Sequence, residues 1–201
     1  LTIGSVGGAQ VSANGRLVDT DGTYEGNIDS RVTADDPNPF LRLIGVQPDG
    51  AVLPWQRILE KTSLTGQLVF KRGTEEPDVS YRVEGQSGPL DVSLSARLRE
   101  LSSPDGVLSR GALRVTSPQS GNILKLFGLD PKHSSDAEGA LTIAFDGNAP
   151  RGYAIESEAS AYGATASFNG TYQPTTTALP ALDGAIRLSA PNAQSLLSAM
   201  G

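Results

Sequence analysis

The feature that most constrains this chain is a two-residue alternation of apolar and polar side chains that returns along its length. In GALTIAFDG, Leu141, Ile143 and Phe145 fall on one side, with Thr142 between the first two. In AYGATASFNGTY, Ala164, Ala166, Phe168 and Tyr172 alternate with Thr165, Ser167, Asn169 and Thr171. Val92, Leu94, Ala96 and Leu98 alternate in the same way with Asp91, Ser93, Ser95 and Arg97, and Ile28, Val32 and Ala34 oppose Asp29, Arg31 and Thr33. A period of two belongs to an extended strand with one dry face and one wet face.

Such strands need turns. With 23 glycines, 13 prolines and only 5% aromatic residues, the composition favours many short segments over a few long helices. Asp21-Gly22, Asp105-Gly106, Gly147-Asn148 and Asn169-Gly170 have the chemistry of hairpin turns, which join antiparallel neighbours. The expectation is a mainly β, antiparallel meander of about twelve strands and four short helices.

A longer pattern is laid over the alternation. GALRVTSPQSGNILKLFG (Gly111 to Gly128) and GAIRLSAPNAQSLLSAMG (Gly184 to Gly201) align without a gap at an interval of 73 residues, matching Gly, Ala, Arg, Pro, Leu and Gly. Gly66 and Gly139, which open GQLVFKRG and GALTIAFDG, are also 73 apart. A looser first copy, GNIDSRVTADDPNPFLRLIG, runs from Gly26 to Gly45. These copies divide the chain into units of about 1–45, 66–128 and 139–201 within one elongated domain.

Each copy reads as a strand running into a two-turn helix. Pro37, Pro118 and Pro191 suit a first helical turn, with Asp36, Ser117 and Ala190 before them as caps. Gly45, Gly128 and Gly201 suit the left-handed position that ends a helix. The apolar sets Phe40, Leu41 and Ile44, then Ile123, Leu124 and Phe127, then Leu196, Leu197 and Met200 each form one stripe. Helices this short are unstable alone and must dock on the sheet. A fourth helix is expected in PWQRILEK (Pro54 to Lys61), docking through Trp55, Ile58 and Leu59, while YQPTTTALPALDG (Tyr172 to Gly184) reads as a long loop or an edge.

Several functions are disfavoured. A net charge of −6 with scattered Lys and Arg offers no face for nucleic acid phosphates and no polybasic segment for an anionic membrane surface. Without cysteine there is no disulfide or thiolate ligand, and with His133 as the single histidine a conventional zinc site is nearly excluded. No catalytic residue, metal site or cofactor site is assigned. His133 has Ser134, Ser135 and Asp136 beside it, but neighbours on one loop do not make a triad. The acids of DTDGTYEG (Asp19 to Gly26) lack calcium-loop spacing and read as a solvated hairpin, and Glu156 and Glu158 read as ordinary acids on a wet face. No apolar run is long enough to span a bilayer, and the opening at Leu1 makes the chain read as a portion of something longer.

The repeated G-[AI]-[LI]-R-x-x-[SA]-P…LL-x-x-[MF]-G, set among turn-rich amphipathic strands, resembles the AsmA-like proteins of Gram-negative envelopes. The resemblance spans the three units and is most specific at the strand-helix-glycine junction. It implies a twisted, repeat-built antiparallel sheet forming a U-shaped groove, with short helices closing each repeat. It also implies a periplasmic protein held by an inner-membrane anchor outside this segment, in contact with other envelope proteins. The implied function is phospholipid transport or outer-membrane assembly, with acyl chains as the partner and no enzymatic step. Candidate lining residues are Leu94, Leu113 and Val115, then Leu141, Ile143 and Phe145, then Ala164, Ala166 and Phe168, and finally Ile186 and Leu188. Two other readings stand beside it. One is an envelope scaffold or adhesion module whose apolar face is only a core, and the other a carbohydrate-binding sandwich, which the scarcity of Trp and Tyr counts against.

Overall fold

The computed structural model describes residues 2–21, 23–43, 54–72, 78–99, 107–133, 136–174 and 181–191. Eleven strands follow one another in a single antiparallel sheet whose spatial order is the order of the chain. They are β1 (Thr2–Val6), β2 (Ala9–Thr20), β3 (Thr23–Ala34), β4 (Thr62–Arg72), β5 (Asp78–Ser87), β6 (Leu90–Arg99), β7 (Leu108–Ser117), β8 (Gly139–Asn148), β9 (Gly152–Ala161), β10 (Ala164–Gln173) and β11 (Ala181–Ser189). The sheet does not close on itself, since β1 and β11 are its two edges. The alternation in the sequence is therefore a true strand period. The register lines up strand after strand, so one face collects the apolar set and the other the polar set.

Two short α-helices are described, α1 (Asn38–Leu43) and α2 (Gly121–Leu126). At α1 the Asp36 carboxylate accepts the Asn38 backbone N–H at 2.9 Å, which satisfies one free donor of the first turn as expected. Gly128 takes the left-handed conformation at φ 79°, with Gly128 N–H donating to Lys125 and Leu129 N–H to Leu124. Both bonds together make a Schellman ending.

The start of α2 departs from expectation. Ser117 does not cap it and Pro118 is not in its first turn. Three residues carry the chain off the sheet first, and the Ser117 hydroxyl accepts instead from Gln119 N–H (3.3 Å) and from the Asn122 side chain (3.0 Å). Phe127, expected in the docking stripe, is 55% exposed, and Leu126 packs on the core in its place. The expected helix from Pro54 to Lys61 shrinks to one 3-10 turn, Pro54–Ile58, although Ile58 and Leu59 do pack on the core. The third helix, Gly45, Ile44 and the Asp105-Gly106 turn lie outside the described residues, as do the side chains of Phe40 and Trp55.

Two turns also differ. Asn169-Gly170 lies in the middle of β10, paired on both sides with β9 and β11. Gly147 and Asn148 end β8, and the reversal follows at Ala149 to Arg151, where the Asn148 side-chain oxygen accepts Arg151 N–H at 2.9 Å. Asp21 does turn the chain between β2 and β3, at φ 52°. The long tract before Gly184 resolves in part as the edge strand β11.

The 73-residue interval carries the start of β7, Leu108, onto the start of β11, Ala181. It does not carry Gly66 onto an equivalent of Gly139, because Gly66 lies within β4 and pairs with Ser30, whereas Gly139 opens β8. A unit boundary at 66 thus cuts a strand.

Core packing is concentrated at one end of the sheet, the capped end, where the side chains of β6, β7 and β8 meet α2. Leu90, Val115, Ile123 and Leu141 form a buried cluster, with Ile58, Leu59, Val92, Leu113, Leu126, Ile143 and Ala159 against it. Ser120 ties this corner together, its N–H donating to Ala137 and its hydroxyl accepting Tyr162 N–H at 3.3 Å.

Candidate functional site

All eleven candidate lining residues lie on the same face of the sheet. The register makes this explicit in transverse rows. Behind the row at the capped end, which holds Ala34, Thr62, Ser87, Leu90, Ser117, Gly139, Ala161 and Ala164, one row runs Val11, Val32, Leu64, Gly85, Val92, Val115, Leu141, Ala159, Ala166 and Leu188. It crosses β2 to β11 without a polar side chain. The next row is Ala13, Ser30, Gly66, Val83, Leu94, Leu113, Ile143, Ser157, Phe168 and Ile186. A third, containing Phe145, Gly111, Gly170 and Gly184, and a fourth, containing Phe70, Leu98, Tyr153, Tyr172 and Leu182, continue toward the opposite, open end. Among the described residues of the strands, charged side chains enter this face only beyond the fourth row, at Asp19 and Arg72. With strands about 4.8 Å apart, ten of them give an apolar band roughly 43 Å across.

The glycines in the third row have a packing reason. A β-carbon at Gly111 would lie 2.6 Å from the Phe145 ring, and at Gly170 the same distance from the Phe168 ring. Both aromatic rings therefore lie down over bare backbone. Toward the open end, Phe145 and Tyr153 meet edge to face with centroids 6.4 Å apart, and Tyr153 and Tyr172 stand at the same separation.

The candidate residues differ in what covers them. Val115, Leu141 and Ala164 are buried by the protein itself at the capped end. Leu94, Leu113, Ile143, Phe145, Ala166 and Phe168 are half-buried, held mainly between strand neighbours. Ile186 and Leu188 on β11 are 77% and 67% exposed. Leu17, Ile28 and Leu182, which share the face, are open as well. Leu64, Gly66, Leu68 and Phe70 of β4 belong to it and were legible from their alternation with Thr65, Gln67, Val69 and Lys71.

The opposite face carries the ions. Arg97 donates through Nε to Asp78 at 2.8 Å, and Arg110 likewise to Asp146 at 2.8 Å, each pair spanning adjacent strands. Lys71 pairs with Glu25 at 3.2 Å. The Arg97 hydrogen bond holds the Asp78 carboxyl below its ordinary value, and Asp78 in turn raises the guanidinium. Two broad concavities, of about 880 and 770 Å³, lie on this polar face, over β4 to β9 and over β8 to β11. Short side chains explain them, since Ser80, Ser95, Ala112, Ala144 and Ala154 leave the floor low between longer neighbours. Most of their lining side chains belong to the polar face, so these hollows do not trace an apolar-lined groove.

The polar residues considered for chemistry lie apart. The His133 side chain is exposed, and its carbonyl accepts the Tyr162 hydroxyl; burial raises the pKa of that tyrosine. Ser134 and Ser135 lie outside the described residues. Glu156 and Glu158 stand on the polar face of β9, and Glu25 is engaged with Lys71. Among the described residues no group of three or more His, Cys, Asp or Glu is placed to hold a metal ion, and no helix is long and apolar enough to cross a membrane. No family model, curated protein or solved structure matches the chain.

Proposed function

We propose that this chain is a lipid-handling segment of an AsmA-like envelope protein, working in the periplasm by offering its apolar face to phospholipid acyl chains. The reading rests on one observation, the transverse row from Val11 to Leu188 that crosses ten strands without a polar side chain. Among the described residues this face is packed over only at the corner held by α2, Ile58 and Leu59, and Leu17, Ile28, Leu182, Ile186 and Leu188 on it stay exposed, as an apolar surface offered to a partner does. Each acyl methylene taken out of water is worth about 0.8 kcal/mol, so a sixteen-carbon tail gains on the order of 10 kcal/mol from such a face.

The composition of the rows suits passage rather than tight capture. Apart from Ser30, Ser157 and Ser109, the four rows offer aliphatic, aromatic and glycine surface, with no charged group to hold a tail in one place. Tyr24, Tyr81, Tyr153 and Tyr172 all lie on this face toward the open end. A phenol, apolar in its ring and polar at its tip, fits a boundary between tails and head groups. A groove with a helix closing each repeat is the architecture proposed here for the longer protein, which would bind lipid and catalyse nothing.

A second reading has one observation of its own. The corner formed by Leu90, Val115, Ile123 and Leu141 is packed shut like any protein core, which favours a scaffold module whose apolar face is structural. A photo-crosslinking residue at Ile143 or Ala166 separates the two. Adducts with phospholipid, together with lipid carried through purification and seen in native mass spectra, are expected for the conduit. Crosslinks confined to the same chain in a lipid-free protein would overturn it in favour of the scaffold.

A further inference from the structure

From the geometry of the β11 edge we infer that two copies of this chain pair through it, antiparallel and about a two-fold axis at Ala185, extending the sheet from one copy into the other. Among the described residues β11 hydrogen-bonds to β10 on one side only. Nothing among them pairs with its other edge, and that edge carries neither a proline nor a bulge. All nine of its residues are exposed, it contains neither proline nor lysine, and its register with β10 runs from Ser189 to Ala181 without a shift. The other edge of the sheet is blunted by contrast, since β1 has five residues and its register slips between Ile3 and Ser5.

The occupant follows from the side chains of β11 itself. Asp183 and Arg187 lie on its polar face, two positions either side of Ala185, and neither has an ion-pair partner among the described residues. When a second β11 is laid antiparallel with Ala185 opposite Ala185, Asp183 of each copy faces Arg187 of the other, so both charges are matched twice. On the apolar face the same register sets Leu182 opposite Leu188 and Gly184 opposite Ile186. A large side chain over a glycine is the arrangement already used inside the sheet by Phe145 over Gly111. Moving the axis by one residue in either direction breaks both charge pairs, so the strand specifies one register for its own copy. The interface is isologous, and it runs the two apolar faces together without a break. This pairing does not depend on the lipid reading.

The test uses the full 201-residue chain in sedimentation equilibrium at micromolar concentration. A monomer-dimer equilibrium is expected, and Arg187→Asp or Asp183→Arg alone should weaken it about tenfold or more by setting like charges opposite one another. The double exchange Asp183→Arg/Arg187→Asp should restore the dimer. Mixing the two single variants should give a heterodimer, because every facing pair is then again opposite in sign. These positions are exposed, so circular dichroism should report an unchanged fold in all variants. As a check of register, Ala185→Cys in this cysteine-free chain should form a disulfide-linked dimer on mild oxidation, since facing α-carbons in such a pair lie about 4.5 to 5.5 Å apart. A chain that stays monomeric, that dimerises regardless of the charge reversals, or that assembles into larger species would overturn the proposal.

Discussion

Ile123 on α2 rests directly on Gly139, the first residue of β8. A β-carbon at Gly139 would lie 2.7 Å from Ile123 Cγ1 and equally close to the Ser120 α-carbon. The helix can sit this low because the strand beneath it begins with no side chain. Ile123 then reaches Leu90, Val115 and Leu141 and is itself fully buried.

Ile123→Ala therefore leaves a hole that a two-turn helix is poorly able to fill. The expected cost is about 2 to 5 kcal/mol in unfolding free energy, read from urea or guanidinium titration. A change under about 0.5 kcal/mol would show that α2 does not anchor the capped end.

Glycine substitutions should separate contact from conformation. Gly139→Ala should cost about 1 to 3 kcal/mol, because the added methyl meets the backbone of Ser120 and cannot be relieved by a rotamer change. Gly4→Ala, where nothing lies within 4 Å, should be neutral or slightly stabilising through a less flexible unfolded chain. Thermal unfolding of both variants checks the contrast.

The Arg97–Asp78 pair makes a signed pH prediction. The Asp78 pKa is lower in the folded protein than in the unfolded chain. The pair's contribution is therefore complete above the unfolded carboxylate pKa of about 4 and is lost as pH falls through the lower folded value. Asp78→Asn should flatten that part of the acid limb in chemical denaturation measured across pH. At neutral pH the loss should be small, since both side chains are substantially exposed.

Leu17 and Ile28 provide a test of the apolar face far from β11. Both are exposed, so Leu17→Asp with Ile28→Asp should change stability by less than about 1 kcal/mol. Under the lipid reading the double variant should carry less phospholipid through purification, measured by native mass spectrometry against the parent. Equal lipid content in the two proteins would count against this part of the face.

Much of the fold was written in the alternation. Leu141, Ile143 and Phe145 share a face for the same reason that Val92, Leu94, Ala96 and Leu98 do, and their pairing across strands follows the chain order. Turns were harder, because glycine has more than one use. Asn169-Gly170 has hairpin chemistry, yet Gly170 is needed mid-strand so that the Phe168 ring can lie over it. The start of α2 departed from expectation for a related reason, whereas that of α1 is capped by Asp36 as its sequence indicates. Pro118 fits a first turn locally, but the strand must bend off the sheet over three residues before α2 can begin, and that geometry is set by where Ile123 has to land. The interval between Gly66 and Gly139 matched by residue type while their places along the strands differ. As for the candidate site, alternation named the shared face, but whether protein or solvent covers a residue depends on where α2 comes to rest. That is why Val115 is sealed and Leu188, its counterpart one interval later, is open.

The strictly sequential strand order has a consequence for how the molecule comes into being. Every rung of the ladder joins segments that leave the ribosome one after the other, so no strand has to wait for a remote partner and each closure spends little chain entropy. A sheet of this kind can be assembled vectorially, hairpin by hairpin, and lengthened by inserting further hairpins without re-threading those already formed.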